Sequence, residues 1–195
     1  MCKGMSRTLR NSWGVCVKER FVCFVHDEYV VPQFMFIVPL LHACGAMVSA
    51  KIYLVTGATE GIGLETAKQL TRDGHRVLVH GRDPMKVDRV VQSLKGDAAG
   101  YTADLASFEQ IRTMADKVRQ DHPVLDGLLN NAGTFDGDYT GKRVVTEDGN
   151  ELSLQVNVLA PFLLTALLLP NVKASGAGRV IISSSVSMGA ADALG

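Results

Sequence analysis

Three glycines lie close together between an apolar run and an amphipathic one, in the stretch LVTGATEGIGLETAKQL (54–70). Gly57 can adopt a tight turn, Gly61 lets a bulky group approach the backbone, and Gly63 lets the following helix pack close to the preceding strand. The first turn of that helix offers free N–H groups and a partial positive charge. Taken alone, such a loop is typical of a phosphate-binding turn and equally of a plain tight turn. Because it joins a predicted strand to a predicted helix, it indicates dinucleotide binding.

The end of the next predicted strand, HGRD (80–83), indicates which dinucleotide is bound. Chains that bind NAD usually place Asp or Glu about 20 residues beyond the glycines, where it holds the ribose 2′-OH. Here Arg82 carries a guanidinium suited to a 2′-phosphate, and Gly81 leaves space beside it. Asp83 opens the next helix, and we expect it to be the N-cap. NADP is therefore the predicted cofactor and NAD the alternative, although the negative charge of Glu60 disfavours the extra phosphate.

The order of the predicted elements brings these residues to one edge of a sheet. From Met47 onward, β-rich apolar runs alternate with helical ones, which predicts an α/β fold with a doubly wound parallel sheet of about five strands. Ligands bind outside the carboxyl ends of such strands. The long, strongly apolar helix is expected to pack against the sheet and against a partner subunit. The strands are predicted at 52–56, 76–80, 100–104, 125–133 and 179–185, and the helices from the glycine loop to about Arg72, over 84–94, from an N-cap at Ser107, and over 151–170.

Composition excludes several classes of function. The chain of 195 residues has a formal net charge of zero, which gives no reason to expect nucleic acid or an anionic membrane surface as a partner. Its five histidines match no metal-ligand spacing, so no metal site is predicted. All four cysteines lie in the first 44 residues, so the rest of the chain does not rely on disulfides.

Residues 1–46 read differently from the rest and leave two interpretations open. The uncharged run 29–50 is long enough to span a bilayer, but Pro32 and Pro39 are poor for a clean helix. One interpretation is an upstream extension outside the fold, with Met47 as the natural start. The other is a targeting or membrane segment. We expect residues 47–195 to form the NAD(P)-binding domain, in a protein that is cytoplasmic, or membrane-associated if the segment is real.

Four motifs between Met47 and Gly195 resemble those of the short-chain dehydrogenase/reductase family. TGATEGIG (56–63) resembles its cofactor loop, ADL (103–105) its adenine-binding Asp-Leu, NNAG (130–133) its fourth-strand motif, and RVIISSS (179–185) the strand that delivers a catalytic serine. The resemblance implies a Rossmann fold and an NAD(P)-dependent oxidoreductase. The cofactor-binding residues are then expected to be Thr56, Gly57, Thr59, Glu60, Gly61, Ile62, Gly63, Arg82, Asp104, Leu105, Asn130, Asn131, Ala132 and Gly133.

A longer stretch, TEDGNELSLQVNVLAPFLLTALLLP (146–170), is similar to the retinol-dehydrogenase-like and protochlorophyllide-reductase-like branch of that family. That branch implies apolar substrates such as retinoids, steroids or other lipid carbonyls. The similarity rests on analogy and is less specific than the four motifs.

The resemblance also implies how the chemistry is divided. In the family a Tyr is the acid/base, a Lys four residues later lowers its pKa, a Ser polarises the substrate oxygen, and an Asn holds a relay water. Ser185 matches that serine, with Ser184 as the alternative, and Asn157 matches the asparagine. Tyr-x-x-x-Lys has no match in the 195 residues. The resemblance therefore implies that residues 47–195 are a partial NAD(P)-binding domain, and we expect a fragment of an NADP-dependent oxidoreductase without useful turnover. The alternative is a non-catalytic NADP-binding or interaction protein. The family also implies a homo-oligomer.

Overall fold

The computed structural model describes residues 17–18, 21–22, 49–135 and 143–184. Its main feature is a parallel sheet of five strands. Two further strands, of two residues each, form a separate antiparallel pair. The strands are β1 (Val17–Lys18), β2 (Phe21–Val22), β3 (Ile52–Val55), β4 (Arg76–Gly81), β5 (Ala98–Thr102), β6 (Gly127–Asn130) and β7 (Arg179–Ile182). The helices are α1 (Gly61–Arg72), α2 (Pro84–Ser93), α3 (Phe108–Asp121), α4 (Leu152–Leu154), a π-helical turn (Gln155–Leu159) and α5 (Ala160–Ala174).

The chain order of the strands explains where a ligand can bind. β3 lies in the middle, and the chain runs outward through β4 and β5 before it crosses back to β6 and β7. The two directions diverge between β3 and β6, which pair in register at Leu54 and Leu128. A crevice forms at such a switch point, outside the carboxyl ends of the strands. The predicted doubly wound fold is confirmed.

Two apolar layers cover the two faces of the sheet. One layer joins α1 and α2 to the sheet through small side chains, among them Val55, Ala67 and Val87. The other joins α3 and α5 to the opposite face through larger ones, among them Ile111 and Leu164. The predicted apolar stripe of α3 is confirmed, since Ile111, Met114, Ala115 and Val118 are all buried.

Several predicted boundaries were wrong, among them the end of the last strand, which lies at Ile182 and not at 185. The third strand of the sheet is Ala98–Thr102, two residues earlier than predicted, because it pairs with β4 from Val77↔Ala98 onward. The fourth is only Gly127–Asn130. The long helix does not end at Pro170 but continues to Ala174. Buried Asn171 explains the continuation, because its Nδ2 donates to the carbonyl of His122 at 2.8 Å.

By length and composition, the helix 152–174 could cross a membrane, with a mean hydropathy of 2.0. Its inner face, however, is part of the core, where Ala160, Leu164 and Leu168 are at most 1% exposed. Core packing therefore accounts for much of its apolar character. The other candidate segment, 29–50, lies mostly outside the described residues.

Candidate cofactor site

The glycine loop has the backbone that the spacing predicts. Gly57 and Gly61 both lie in the left-handed region, with φ of 63° and 56°. A Cβ at Gly57 would lie 2.8 Å from Ala132 Cα, so the loop touches the segment after β6 at this point. A Cβ at Gly63 would collide with the carbonyl oxygen of Gly57 and approach Asn131 Nδ2 to 2.6 Å. Gly61, in contrast, has open space within 4 Å, which leaves room for an approaching group.

The NNAG segment braces that loop from the neighbouring strand. Thr56 Oγ1 accepts hydrogen bonds from the N–H groups of Asn131 (2.9 Å) and Ala132 (3.0 Å). Asn131 Nδ2 donates in return to the carbonyl of Thr56 at 3.1 Å. Asn130 is buried and donates to Thr165 Oγ1 at 3.0 Å, which joins β6 to α5. The loop is therefore held rigid by contacts about 75 residues away in sequence.

The start of α1 fits a phosphate group. Glu60 occupies the N-cap position but its side chain makes no capping hydrogen bond. Among the described residues, no side chain accepts from the N–H groups of Gly61, Ile62 or Gly63. Half-buried Thr59 precedes them. Unpaired N–H groups at a helix start, together with the helix dipole, attract an anion.

The end of β4 carries the residues that would meet the adenosine half of a dinucleotide. Arg82 is exposed, and Asp83 caps α2 as predicted, accepting from the N–H groups of Met85 (2.9 Å) and Lys86 (3.3 Å). The space over Gly81 is not empty, since a Cβ there would lie 2.5 Å from Thr59 Cγ2. Gly81 thus admits Thr59 of the glycine loop rather than a ligand atom.

Glu60 is less unfavourable than its charge suggests. Its carboxylate lies 3.6 Å from Lys86 Nζ, so an ion pair joins the glycine loop to α2. Both side chains are more than half exposed, which limits the strength of the pair. The pair nevertheless brings a second cation to the side of the site where Arg82 lies.

Asp104 and Leu105 follow β5 at the same edge of the sheet. Asp104 Oδ1 accepts from the N–H of Ala106 at 2.9 Å, which fixes the carboxylate in a turn. Asp104 is half-buried and Leu105 is buried. The carboxylate thus retains acceptor capacity for an amino group, on a turn that holds its orientation.

The predicted catalytic residues are placed only in part. Ser185 lies outside the described residues, while Ser183 and Ser184 are exposed beyond the end of β7. Ser183 Oγ donates to Asn131 Oδ1 at 3.2 Å, so the serine strand reaches the brace of the glycine loop. Asn157 lies in the π-helical turn. Its Oδ1 accepts from the N–H of Thr134 (2.8 Å), and its Nδ2 donates to the carbonyl of Thr134 (2.7 Å).

A tyrosine and a lysine also meet in space, although not in the spacing of the family. Tyr101 OH donates to Asp121 Oδ2 at 2.8 Å, and Lys117 Nζ lies 3.0 Å from the same oxygen. Burial, and then the hydrogen bond to Asp121, raises the pKa of Tyr101. An acid/base tyrosine needs its pKa lowered, so this cluster is structural.

Two groups of polar contacts were not predicted from the sequence. Buried His80 contacts the glycine turn, and Asp148 binds the start of α3, where Phe108 N–H donates to its carboxylate at 2.8 Å. Ser107 holds the predicted N-cap position but makes no capping bond. Asp148 also accepts from Gln155 Nε2 at 2.5 Å, and Gln155 is fully buried. The Asp in TEDGNE was visible in the sequence, but its partner 40 residues earlier was not.

Comparison with known proteins agrees with this geometry. A family model described as short chain dehydrogenase matches residues 51–193. Retinol dehydrogenase 13 of Homo sapiens is 37% identical over 147 residues, which cover 73% of this chain and 43% of that protein. Polyprenol dehydrogenase of Mus musculus is 42% identical over 132 residues, which cover 65% of this chain and 38% of that protein. The chain thus spans less than half the length of these two curated relatives.

A solved structure shares the fold as well. The crystal structure of a metagenomic short-chain oxidoreductase in complex with NADP is 31% identical, has a TM-score of 0.61, and matches 70% of this chain and 62% of its own. The family uses NAD(P), which agrees with an open helix start and a braced glycine loop. The chain belongs to the short-chain dehydrogenase/reductase family, in its retinol-dehydrogenase-like branch.

Proposed function

We propose that this chain binds NADP at the carboxyl edge of β3, β4, β5 and β6. The observation that carries the proposal is the start of α1, where the described side chains leave the N–H groups of Gly61, Ile62 and Gly63 without acceptors beside an open Gly61. A diphosphate supplies those acceptors. The wall along the middle of the cofactor would then be formed by Thr56, Gly57, Asn131, Ala132 and Gly133.

The preference for NADP over NAD is assigned to Arg82. Its guanidinium is exposed at the end of β4, where a 2′-phosphate can take two hydrogen bonds from it. Lys86 offsets the charge of Glu60, so the loop does not repel the phosphate. Asp104 would accept a hydrogen bond from the adenine amino group, and Leu105 would support the turn.

For the whole protein we propose oxidoreduction of an apolar alcohol or carbonyl compound. When bound, the cofactor supplies or accepts the hydride at its nicotinamide ring. Ser185, with Ser184 as alternative, would hydrogen-bond the substrate oxygen, and Asn157 would order the backbone around Thr134 and a relay water. Phe135, directly after Thr134, is 86% exposed and offers an apolar contact. The names of the two curated relatives point to retinol and polyprenol, both apolar alcohols.

We further propose that the protein self-associates through the outer face of the helix 152–174. Leu154, Val158 and Phe162 lie along that face and are 45–77% exposed. An apolar stripe on a helix favours burial against another surface. Phe162→Glu places a charge on this face and should shift a dimer to a monomer, as measured by light scattering. The proposal is compatible with a cytoplasmic location and with attachment to a membrane.

Titration of the full chain with NADPH and NADH tests the cofactor proposal. Arg82→Ala should weaken NADPH binding about tenfold or more, because a charge-assisted contact is lost, and leave NADH binding unchanged. Arg89→Ala, an exposed arginine on α2, is the matched control and should change neither affinity. Absence of binding to both cofactors would overturn the proposal. Equal loss for both in Arg82→Ala would overturn the assignment of the 2′-phosphate.

A further inference from the structure

His80 lies between the two segments that the proposed cofactor would touch. The side chain is 2% exposed and stands at the end of β4. The N–H of Gly57, in the glycine turn, donates to its Nδ1 at 3.3 Å. On the other side, its Nε2 lies 3.1 Å from the carbonyl oxygen of Ala103, the residue before Asp104. One imidazole therefore bridges the glycine turn and the turn that carries Asp104.

These two contacts fix the tautomer. A backbone N–H can only donate, so Nδ1 must carry no proton, and Nε2 must then donate its N–H to the Ala103 carbonyl. Burial lowers the pKa of His80 to about 4, while the Ala103 carbonyl and the charge of Asp104, the ionised group that faces it, act in the opposite direction. The ring is accordingly neutral at neutral pH and can hold both bonds at once.

The backbone around His80 reinforces the bridge. Its carbonyl accepts from the N–H of Ala58 at 2.9 Å, and the carbonyl of Gly81 accepts from the N–H of Ala103 at 3.2 Å. The backbone bonds hold the main chains of the three segments together. The buried imidazole adds a side-chain link between the turn at Gly57 and the carbonyl of Ala103.

We propose that His80 is a positioning residue that sets the distance between the diphosphate-binding turn and the adenine-binding Asp104. The inference rests on the proposed function. A ligand that spans both segments, such as NADPH, depends on that distance. A ligand that reaches only the Asp104 and Arg82 side, such as adenosine 2′-monophosphate, does not.

The test compares NADPH with adenosine 2′-monophosphate in the full chain. His80→Leu fills the space but leaves the Gly57 N–H and the Ala103 carbonyl without a partner, and we expect NADPH affinity to fall about tenfold or more. Affinity for adenosine 2′-monophosphate should change by less than about twofold to threefold. His80→Gln, which keeps a donor and an acceptor, should recover part of the NADPH affinity and also serves if the leucine variant does not fold.

His75 supplies the matched control. It stands just before β4, at the opposite end of the strand, where its Nδ1 accepts from the N–H of Lys51 at 3.4 Å. His75→Leu should leave both affinities unchanged. A merely structural role for His80 would lower both affinities together, in proportion to the unfolded fraction, and would overturn the inference.

The tautomer gives an independent readout. Nitrogen-15 resonances of His80 should show a protonated Nε2 and an unprotonated Nδ1 at neutral pH, and the opposite tautomer would overturn the inference. If the unchanged chain binds neither ligand, the proposed function fails and this inference fails with it. If the unchanged chain binds NADPH and the leucine variant binds it equally well, only the inference fails.

Discussion

The helices α1 and α2 both follow a strand at the same edge of the sheet, yet they begin in opposite ways. At the start of α2, Asp83 accepts hydrogen bonds from the N–H groups of Met85 and Lys86. At the start of α1, Glu60 makes no such bond and its carboxylate faces Lys86 instead. Capping stabilises a helix by about 1 kcal/mol. The chain forgoes that stabilisation at the one helix start that the glycine loop leaves open to a ligand.

The two helix starts also differ in what holds them in place. Asp83 is a local cap, within three residues of its partners. The start of α1 is held from a distance, by Asn131 against Thr56 and by His80 against Gly57. No side chain in the described part of the chain thus occupies the N–H groups, while the backbone that carries them is fixed. This is the preorganisation that a binding site needs.

The largest expected effect comes from adding a methyl group at Gly63, in the first turn of α1. In Gly63→Ala the new Cβ would collide with the Gly57 carbonyl and approach Asn131 Nδ2 to 2.6 Å, so the backbone must move. We expect a loss of about 3 kcal/mol in the free energy of unfolding and loss of NADPH binding. Chemical denaturation and cofactor titration measure the two effects.

Gly61→Ala is the matched control for that prediction. Its Cβ would meet open space, and only the left-handed backbone opposes it, at a cost of about 1–2 kcal/mol. Equal destabilisation by the two variants would show that the close approach at Gly63 does not matter.

The next largest effect is a loss of folding stability in acid, through His80 beside the start of α1. The pKa of His80 is lowered from 6.5 to about 4 by burial, so between these values the unfolded chain binds more protons than the folded one. Stability is then full above pH 6.5 and falls as the pH is lowered, by roughly 3 kcal/mol in total for His80.

Denaturation curves between about pH 7 and 4 measure this loss. Burial also lowers the pKa of His75 and His122, which adds a loss in the same direction. His80→Gln should therefore flatten the pH dependence without abolishing it. The same slope in the variant and the unchanged chain would show that His80 is not the group that titrates.

Much of this contrast could be predicted from sequence, and the rest could not, for a physical reason. The positions of the turn at Gly57, of the helix start at Gly61 and of the cap at Asp83 are indicated by residue types within a few positions of each, so the local spacing predicts them. The contacts of His80 and Asp148 join residues 23 and 40 positions apart. They depend on how the strands pair, which a single sequence does not specify.

The long helix shows the same limit. Its apolar composition predicted a buried helix over 151–170, but not the π-helical turn at Gln155–Leu159 or the continuation to Ala174. Gln155, fully buried inside that turn, holds Thr146, Asp148 and Asn150 through its amide. A single buried polar side chain in an apolar helix does not change the periodicity of the sequence, so sequence analysis does not detect it. The catalytic role of Asn157, two residues later, stays a prediction.

A smaller effect is expected when a long-range cap is removed. Asp148→Ala takes the acceptor from the Phe108 N–H and from Gln155 Nε2, so α3 loses its cap and a buried amide loses a partner. We expect a loss of about 1–2 kcal/mol in the free energy of unfolding, measured by urea denaturation. Glu147→Ala, at an exposed neighbouring position, should cost less than about 0.5 kcal/mol. Equal costs would show that Asp148 is not a cap.

The smallest effect tests the opening contrast most directly, because it turns the open start of α1 into a capped one. In Glu60→Asp the shorter carboxylate can accept from the N–H groups that Glu60 leaves free, and the extended backbone at this position, with φ of −158°, suits a cap. We expect stability to rise by about 0.5–1 kcal/mol. The phosphate must then displace that carboxylate, so NADPH affinity should fall by the same free energy, about twofold to fivefold. Glu60→Gln removes the charge that faces Lys86 without supplying a cap. It should therefore neither raise the stability of the chain nor lower its NADPH affinity. A variant that gains stability and still binds NADPH as tightly as the unchanged chain would mean that the ligand does not use these N–H groups.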